Sequence, residues 1–71
     1  MAVKNSEIFF GTIAIKKGYV TGGQLGRAVT LQMREDIEGG QKRLLGEILI
    51  EMGYMSTDQV QDVLESQLKG R

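Results

Sequence analysis

Apolar residues along the chain recur at the spacing of α-helices. Two stretches place apolar or amide side chains at positions i, i+3, i+4 and i+7, which together form one face of a helix. They are Leu25, Ala28, Val29 and Gln32, and then Val60, Val63, Leu64 and Gln67. An apolar run precedes each stretch, at residues 9–15 and 44–50. Four helices and an all-α fold are therefore predicted, although the β-branched residues in the two runs would also suit short strands.

The predicted helices fall into two similar halves. Residues 9–32 align with residues 44–67 at a constant offset of 35 positions and without a gap. The identical pairs are Gly11/Gly46, Ile13/Ile48, Ile15/Ile50, Gly18/Gly53, Tyr19/Tyr54, Gln24/Gln59 and Gln32/Gln67. Such a match indicates an internal duplication. We expect one compact four-helix domain over residues 1–71, made of two tandem αα-hairpins in residues 6–32 and 44–68 with a linker at 33–43.

Start and stop signals define the helices more closely. Gly18 and Gly53 are suited to end the first and third helices, because glycine adopts a left-handed backbone without a Cβ penalty. Residues 21–24 and 56–59 have the spacing of capping boxes, which open the second and fourth helices. Residues 33–38 can extend the second helix until the Gly39–Gly40 pair interrupts it. Neither half is expected to bury its apolar faces alone.

The composition excludes several kinds of chemistry. The chain has no cysteine and no histidine, and so lacks disulfides, thiol nucleophiles and the commonest metal ligand. Nine basic residues balance nine acidic ones, whereas a domain that binds nucleic acid is normally basic. No apolar run approaches the length of a membrane span, and no signal peptide is visible. We expect a non-enzymatic, cytoplasmic domain without metal or membrane insertion, and the initial Met is compatible with a complete small protein.

The carboxylates follow a helical spacing that argues against catalysis. Glu47 and Glu51 stand four residues apart, as do Asp58 and Asp62. Carboxylates at this spacing on one helix repel each other, so both pairs are expected to face solvent. The sequence therefore offers no convergent set of catalytic groups.

Two repeated positions are candidates for a binding role. Gly11 and Gly46 lie inside helices, where each costs about 0.5–1 kcal/mol relative to alanine. They permit either a close crossing of helices or the approach of a flat ligand or partner backbone. Gln32 and Gln67 extend apolar stripes, so their amides should meet a specific partner, either a neighbouring helix end or a ligand.

The first helix carries more apolar residues than one buried face requires. Five large apolar side chains occur in its first eleven positions, and three of them are candidates for a surface that binds a protein partner or a second copy of the chain. The candidates are Ile8, Phe9 and Ile15. Gly22, Gly23 and Gly26 in the second helix have no role that the sequence assigns.

The repeated motif resembles the MshEN-type N-terminal domain of type II secretion and type IV pilus ATPases. The second half matches the pattern Leu-Gly-x-x-Leu-x-x-x-Gly-x-Leu followed by Leu-x-x-x-Leu-x-x-Gln at Leu45, Gly46, Leu49, Gly53, Met55, Val60, Leu64 and Gln67. The first half matches it at Phe10, Gly11, Ala14, Gly18, Val20, Leu25, Val29 and Gln32. The resemblance covers residues 9–68 and implies a bacterial, helical domain of tandem helix pairs. Some members of the family bind cyclic di-GMP, and others are docking platforms for proteins.

The chain departs from the nucleotide-binding members at two points. They carry Arg directly before Leu-Gly, where this chain has Phe9 and Leu44, and its Arg43 lies one residue early. The linker of 11 residues (44 − 32 − 1) is also longer than theirs. The resemblance therefore implies first a protein-interaction or adaptor module. The alternative is a cyclic di-GMP receptor with a ligand-binding set of Phe10, Gly11, Gln32, Arg43, Leu45, Gly46 and Gln67.

Overall fold

The computed structural model describes residues 5–40 and 43–69, and all regular structure in these ranges is helical. Its helices are α1 (Asn5–Lys16), α2 (Gly22–Glu38), α3 (Leu45–Glu51) and α4 (Thr57–Lys69). The prediction of an all-α, four-helix fold is thus confirmed. Within the described ranges, no helix combines the length and the apolar character needed to cross a membrane.

Glycines end three of the helices as their positions predict. Gly18 and Gly53 follow α1 and α3 with φ angles of 80° and 81°, and Gly39 follows α2 with a φ of 76°. At this φ the chain turns away from the helix, and residues beyond the turn reach back to its last carbonyls. Tyr19 N donates to Ala14 O at 3.0 Å, and Tyr54 N donates to Leu49 O at the same distance. Both turns are therefore closed by equivalent backbone hydrogen bonds.

Both predicted capping boxes are present. The amide of Gln24 donates to Thr21 Oγ1 at 3.1 Å, while the amide of Thr21 donates to Gln24 Oε1 at 3.0 Å. Ser56 and Gln59 form the same reciprocal pair at 3.1 and 3.0 Å. These bonds satisfy amides that a helix start leaves without partners, so α2 and α4 begin where the sequence predicts.

The core joins residues from both halves of the chain. Nine buried apolar side chains form it: Phe10, Ala14, Val20, Ala28, Leu45, Ile48, Leu49, Met55 and Val63. The most extensive helix contacts are those of α1 with α4 and of α2 with α3. The main helix pairs therefore form between the two halves. A self-packed hairpin would require the two helices of one half to pack mainly against each other. Each half covers an apolar face of the other.

Positions 35 residues apart have matching surroundings. A Cβ atom placed on Gly11 would lie 2.7 Å from the Leu25 side chain, and one on Gly46 would lie 3.1 Å from Val60. Both glycines are buried, and the side chains that approach them occupy aligned positions. Each glycine therefore has a packing reason, which is the close approach of a neighbouring helix. That the halves are tandem repeats stays an interpretation of the sequence.

Candidate functional site

The three apolar side chains proposed as a partner surface lie at the protein surface. Ile8, Phe9 and Ile15 on α1 are 56%, 39% and 40% exposed. Ile8 and Ile15 are seven residues apart, which places them on the same side of the helix two turns from each other. Phe10 and Ala14 of the same helix are buried in the core. α1 thus buries one face and presents apolar side chains on another, and we call Ile8, Phe9 and Ile15 the α1 surface.

A carboxylate from α1 joins three helices at the start of α3. Glu7 Oε1 accepts a hydrogen bond from the Leu45 amide at 2.7 Å and another from Gln32 Nε2 at 3.0 Å. Gln32 Nε2 also donates to the carbonyl oxygen of Arg43 at 3.0 Å. Because Leu45 is the first residue of α3, the negative charge of Glu7 lies where the helix dipole favours it. The prediction that Gln32 meets a specific partner is confirmed.

Arg43 is held by two carboxylates. Its Nε and one terminal nitrogen donate to the two oxygens of Glu35 at 3.3 and 2.7 Å, and its other terminal nitrogen forms an ion pair with Glu51. The hydrogen bond from Arg43 lowers the pKa of the Glu35 carboxyl, and the same bond raises the pKa of Arg43. The guanidinium is therefore neutralised within the fold and is not available to an anion as it stands.

The predicted ligand-binding set divides between a polar network and the core. Three members, Gln32, Arg43 and Leu45, are brought together around Glu7. The buried members are Phe10, Gly11, Leu45 and Gly46. The Phe10 ring would lie 3.3 Å from a Cβ on Gly46, so these two positions pack against each other. Gln67 lies half-buried on α4. Access to most of this set requires the core to open.

Two tyrosines at aligned positions form hydrogen bonds with residues that also occupy aligned positions, each on the other half. The hydroxyl of Tyr19 donates to Asp62 Oδ2 at 2.5 Å, and Lys17 Nζ lies 3.3 Å from the same oxygen. Arg27, which aligns with Asp62, donates to the Tyr54 hydroxyl at 3.3 Å. The expectation that both carboxylate pairs face solvent holds for Glu47, Glu51 and Asp58, which are exposed. It is wrong for Asp62, which is half-buried against Tyr19 and Lys17.

Because of the Tyr19–Asp62 contact, the free energy of unfolding should depend on pH in the acidic range. The Tyr19 hydroxyl, and after it Lys17, lowers the pKa of the Asp62 carboxyl. A carboxyl with a lowered folded-state pKa stabilises the fold above its unfolded-state pKa of about 3.9, and this stabilisation is lost as the pH falls through the folded-state value. Asp62→Asn should therefore be less stable than the wild type at pH 7, and the difference should shrink towards pH 2.

Urea unfolding followed by circular dichroism at both pH values checks this prediction. Asp36→Asn is the matched control, because Asp36 is exposed at the end of α2 and its side chain has no hydrogen bond or ion pair with the described residues. A difference between wild type and Asp62→Asn that stays constant with pH would contradict the assignment.

A groove on α2 was not predicted. Five α2 residues that recur at intervals of about one turn line its floor, namely Gly23, Gly26, Arg27, Thr30 and Arg34. Leu31 of α2 and Met52, which directly follows α3, add apolar walls, and the cavity volume is about 600 Å³. The unassigned glycines of the second helix were the only signal of this groove in the sequence.

Gly26 should be replaceable without loss of stability. A Cβ at Gly26 would meet nothing within 4 Å, whereas one at Gly11 would press on Leu25. Gly26→Ala should raise the free energy of unfolding by about 0.5–1 kcal/mol, because alanine restricts the unfolded chain and favours the helix. Gly11→Ala is the control and should show no such gain, since Leu25 must move. Urea titration of both variants measures the difference, and equal gains would contradict the packing described for Gly11.

Comparison of the chain with family models, with curated proteins and with solved structures finds no match.

Proposed function

We propose that this chain is a non-enzymatic protein-interaction module that binds a protein partner through the α1 surface. The observation that carries the proposal is the exposure of Ile8, Phe9 and Ile15 on a helix whose other face is in the core. Large apolar and aromatic side chains exposed together on a small domain are typical of protein interfaces. The role matches that of the docking members of the secretion-ATPase domain family, which the repeated motif resembles. A bacterial cytoplasmic setting belongs to the same proposal.

The polar groups with shifted pKa values support a structural rather than a catalytic interpretation. The lowered pKa of Glu35 follows from its hydrogen bond with Arg43, and that of Asp62 follows from Tyr19 and Lys17. These contacts join helices of different halves or fix the start of α3. Because each shift has a structural cause, none requires a reaction to explain it.

Affinity capture with three tagged baits tests the proposal. The baits are the wild type, Ile15→Glu and the control Ile37→Glu, which places the same charge at an 80% exposed position of α2. Burial of an isoleucine side chain contributes about 1.5–3 kcal/mol, so Ile15→Glu should weaken capture at least tenfold. Ile37→Glu should bind as the wild type does. Mass spectrometry identifies the partner, and light scattering shows whether it is a second copy.

A result in which Ile15→Glu and Ile37→Glu capture the same proteins to the same extent would contradict the proposal. Both substitutions lie at exposed positions, so circular dichroism should show both variants folded. A loss of capture confined to Ile15→Glu therefore reports on the α1 surface and not on the stability of the domain.

The alternative is a cyclic di-GMP receptor. One observation favours it, which is the convergence of Gln32, Arg43 and Leu45 at the start of α3. Binding there would require Arg43 to leave Glu35 and Glu51 for a phosphate. Titration calorimetry with cyclic di-GMP separates the two proposals. Heat that disappears in Arg43→Gln supports the receptor, and the absence of heat with the wild type supports the interaction module.

A further inference from the structure

The groove on α2 is separate from the α1 surface and differs from it in chemistry. Residues 23–34 extend about 16 Å along the helix at 1.5 Å per residue. Arg27 and Arg34 lie in the groove, and Leu31 and Met52 supply its apolar walls. None of these residues belongs to the α1 surface or to the network around Glu7. The groove thus combines a long shallow shape with basic and apolar groups.

Two cations in the groove have no carboxylate partner among residues 7–40 and 43–69. Within these ranges Arg27 donates to the neutral hydroxyl of Tyr54 alone, and the Arg34 side chain has no hydrogen bond or ion pair. Arg43, by contrast, is neutralised by Glu35 and Glu51. The two groove arginines are seven residues apart, which is two helical turns or about 10 Å. Two anionic groups at the same separation would complement their positive charges.

The groove floor has no side chain at Gly26. A Cβ there would meet nothing within 4 Å, so the packing of this domain does not require glycine at that position. Glycine nevertheless costs helix stability. What it provides is an exposed backbone that another backbone can approach closely, beside the short side chain of Thr30.

We infer that the α2 groove docks an acidic amphipathic helix of a protein partner. Carboxylates two turns apart on that helix match the spacing of Arg27 and Arg34, since both sets follow the same helical rise. A small side chain next to the carboxylate on Arg27 packs over Gly26, and apolar side chains between the two carboxylates pack beside Thr30 and Leu31. Two arginines on a chain of zero net charge are too few to hold a nucleic acid. The inference extends the proposed interaction module by a second surface of defined chemistry.

A synthetic peptide tests the groove. The probe is a fluorescein-labelled 18-residue helix with glutamates at positions i and i+7 of an alanine- and leucine-rich face. A control peptide carries glutamines at the two positions. Fluorescence anisotropy with the whole chain at low salt should show binding of the glutamate peptide and at least tenfold weaker binding of the glutamine peptide. Arg34→Gln should weaken binding of the glutamate peptide tenfold, whereas Lys16→Gln, which removes an exposed cation of α1, should leave it unchanged.

A steric variant separates docking from folding. Gly26→Leu places a side chain in the groove where the fold leaves space, so its helical circular dichroism signal should match that of the wild type while peptide binding is lost. Ile15→Glu should bind the peptide as the wild type does, which distinguishes failure of the groove from failure of the α1 surface. Equal binding of the two peptides, or wild-type binding by Gly26→Leu, would overturn the inference. Binding of a DNA oligonucleotide in preference to the peptide would also overturn it.

Discussion

Replacement of Leu49 by alanine should leave the domain largely unfolded at 25 °C. Leu49 is completely buried and belongs to α3, which packs against α1, α2 and α4. Truncation of a buried leucine costs about 2–5 kcal/mol. In a chain of 71 residues without cysteine, a single hydrophobic core supplies at most about 3–5 kcal/mol, so one cavity consumes most of it. Loss of the helical circular dichroism signal and of a cooperative urea transition would be the measured result.

The adjacent residue supplies the control for this prediction. Ile50 is 37% exposed on the same helix, and its truncation to alanine removes less buried surface and leaves no internal cavity. Ile50→Ala should retain the helical signal and lose less than about 1 kcal/mol of unfolding free energy. If Leu49→Ala and Ile50→Ala unfold at the same urea concentration, the described core is wrong.

The second large effect is expected at Glu7. Its carboxylate accepts the first amide of α3 and the side-chain amide of Gln32, so Glu7→Ala removes two hydrogen bonds that tie α1 to α2 and α3. Hydrogen bonds to a charged acceptor contribute about 1.5–3 kcal/mol, and the Leu45 amide would be left without this partner. We expect a loss of about 2 kcal/mol in the free energy of unfolding.

Two further variants isolate the role of Glu7. Glu7→Gln keeps an oxygen acceptor but removes the charge at the helix start, and its stability should lie between those of the wild type and Glu7→Ala. Glu65→Ala removes an exposed carboxylate of α4 and should change stability by less than about 0.5 kcal/mol. Hydrogen exchange of the Leu45 amide should accelerate in Glu7→Ala and stay unchanged in Glu65→Ala. Unchanged exchange of the Leu45 amide in both variants would contradict the hydrogen bond by which Glu7 joins α1 to α3.

The turns and caps could be predicted from the sequence because they depend on neighbouring residues. Gly18 and Gly53 need only a left-handed backbone after a helix, and both adopt it. Thr21 with Gln24, and Ser56 with Gln59, close their capping boxes across three residues. The spacing of a few neighbouring residues is enough to determine such turns and caps. For this reason the helix boundaries agree closely with those expected.

The contacts between the halves could not be predicted in the same way. Glu7 meets Leu45 across 38 positions, and Tyr19 meets Asp62 across 43. Helical spacing showed only that Asp62 shared a face with Asp58, and the repulsion between the two carboxylates predicted that this face would be exposed to solvent. Which helix packs against that face depends on the fold of the whole chain. The pairing of α1 with α4 was therefore outside the reach of periodicity.

The candidate binding surfaces also divide into one that the sequence predicts and one that depends on the fold of the whole chain. The excess of apolar residues on α1 was visible in the sequence, because a helix buries only one face. The groove of α2 was not, since the sequence shows three unassigned glycines but not that Arg27 and Arg34 line the space beside them. The ligand set that the motif implies lies largely in the core or in ion pairs, because the same repeated spacing also produces close helix packing at Gly11 and Gly46.

Methyl NMR of the isoleucines tests the central claim most directly. The chain has six isoleucines, of which Ile8 and Ile15 lie on the α1 surface and Ile37 and Ile50 are exposed elsewhere. Titration of the captured partner into a chain labelled at the isoleucine δ1-methyl groups should shift or broaden the signals of Ile8 and Ile15, with those of Ile37 and Ile50 unchanged. Movement of the Ile37 or Ile50 signals while Ile8 and Ile15 stay in place would contradict binding through α1.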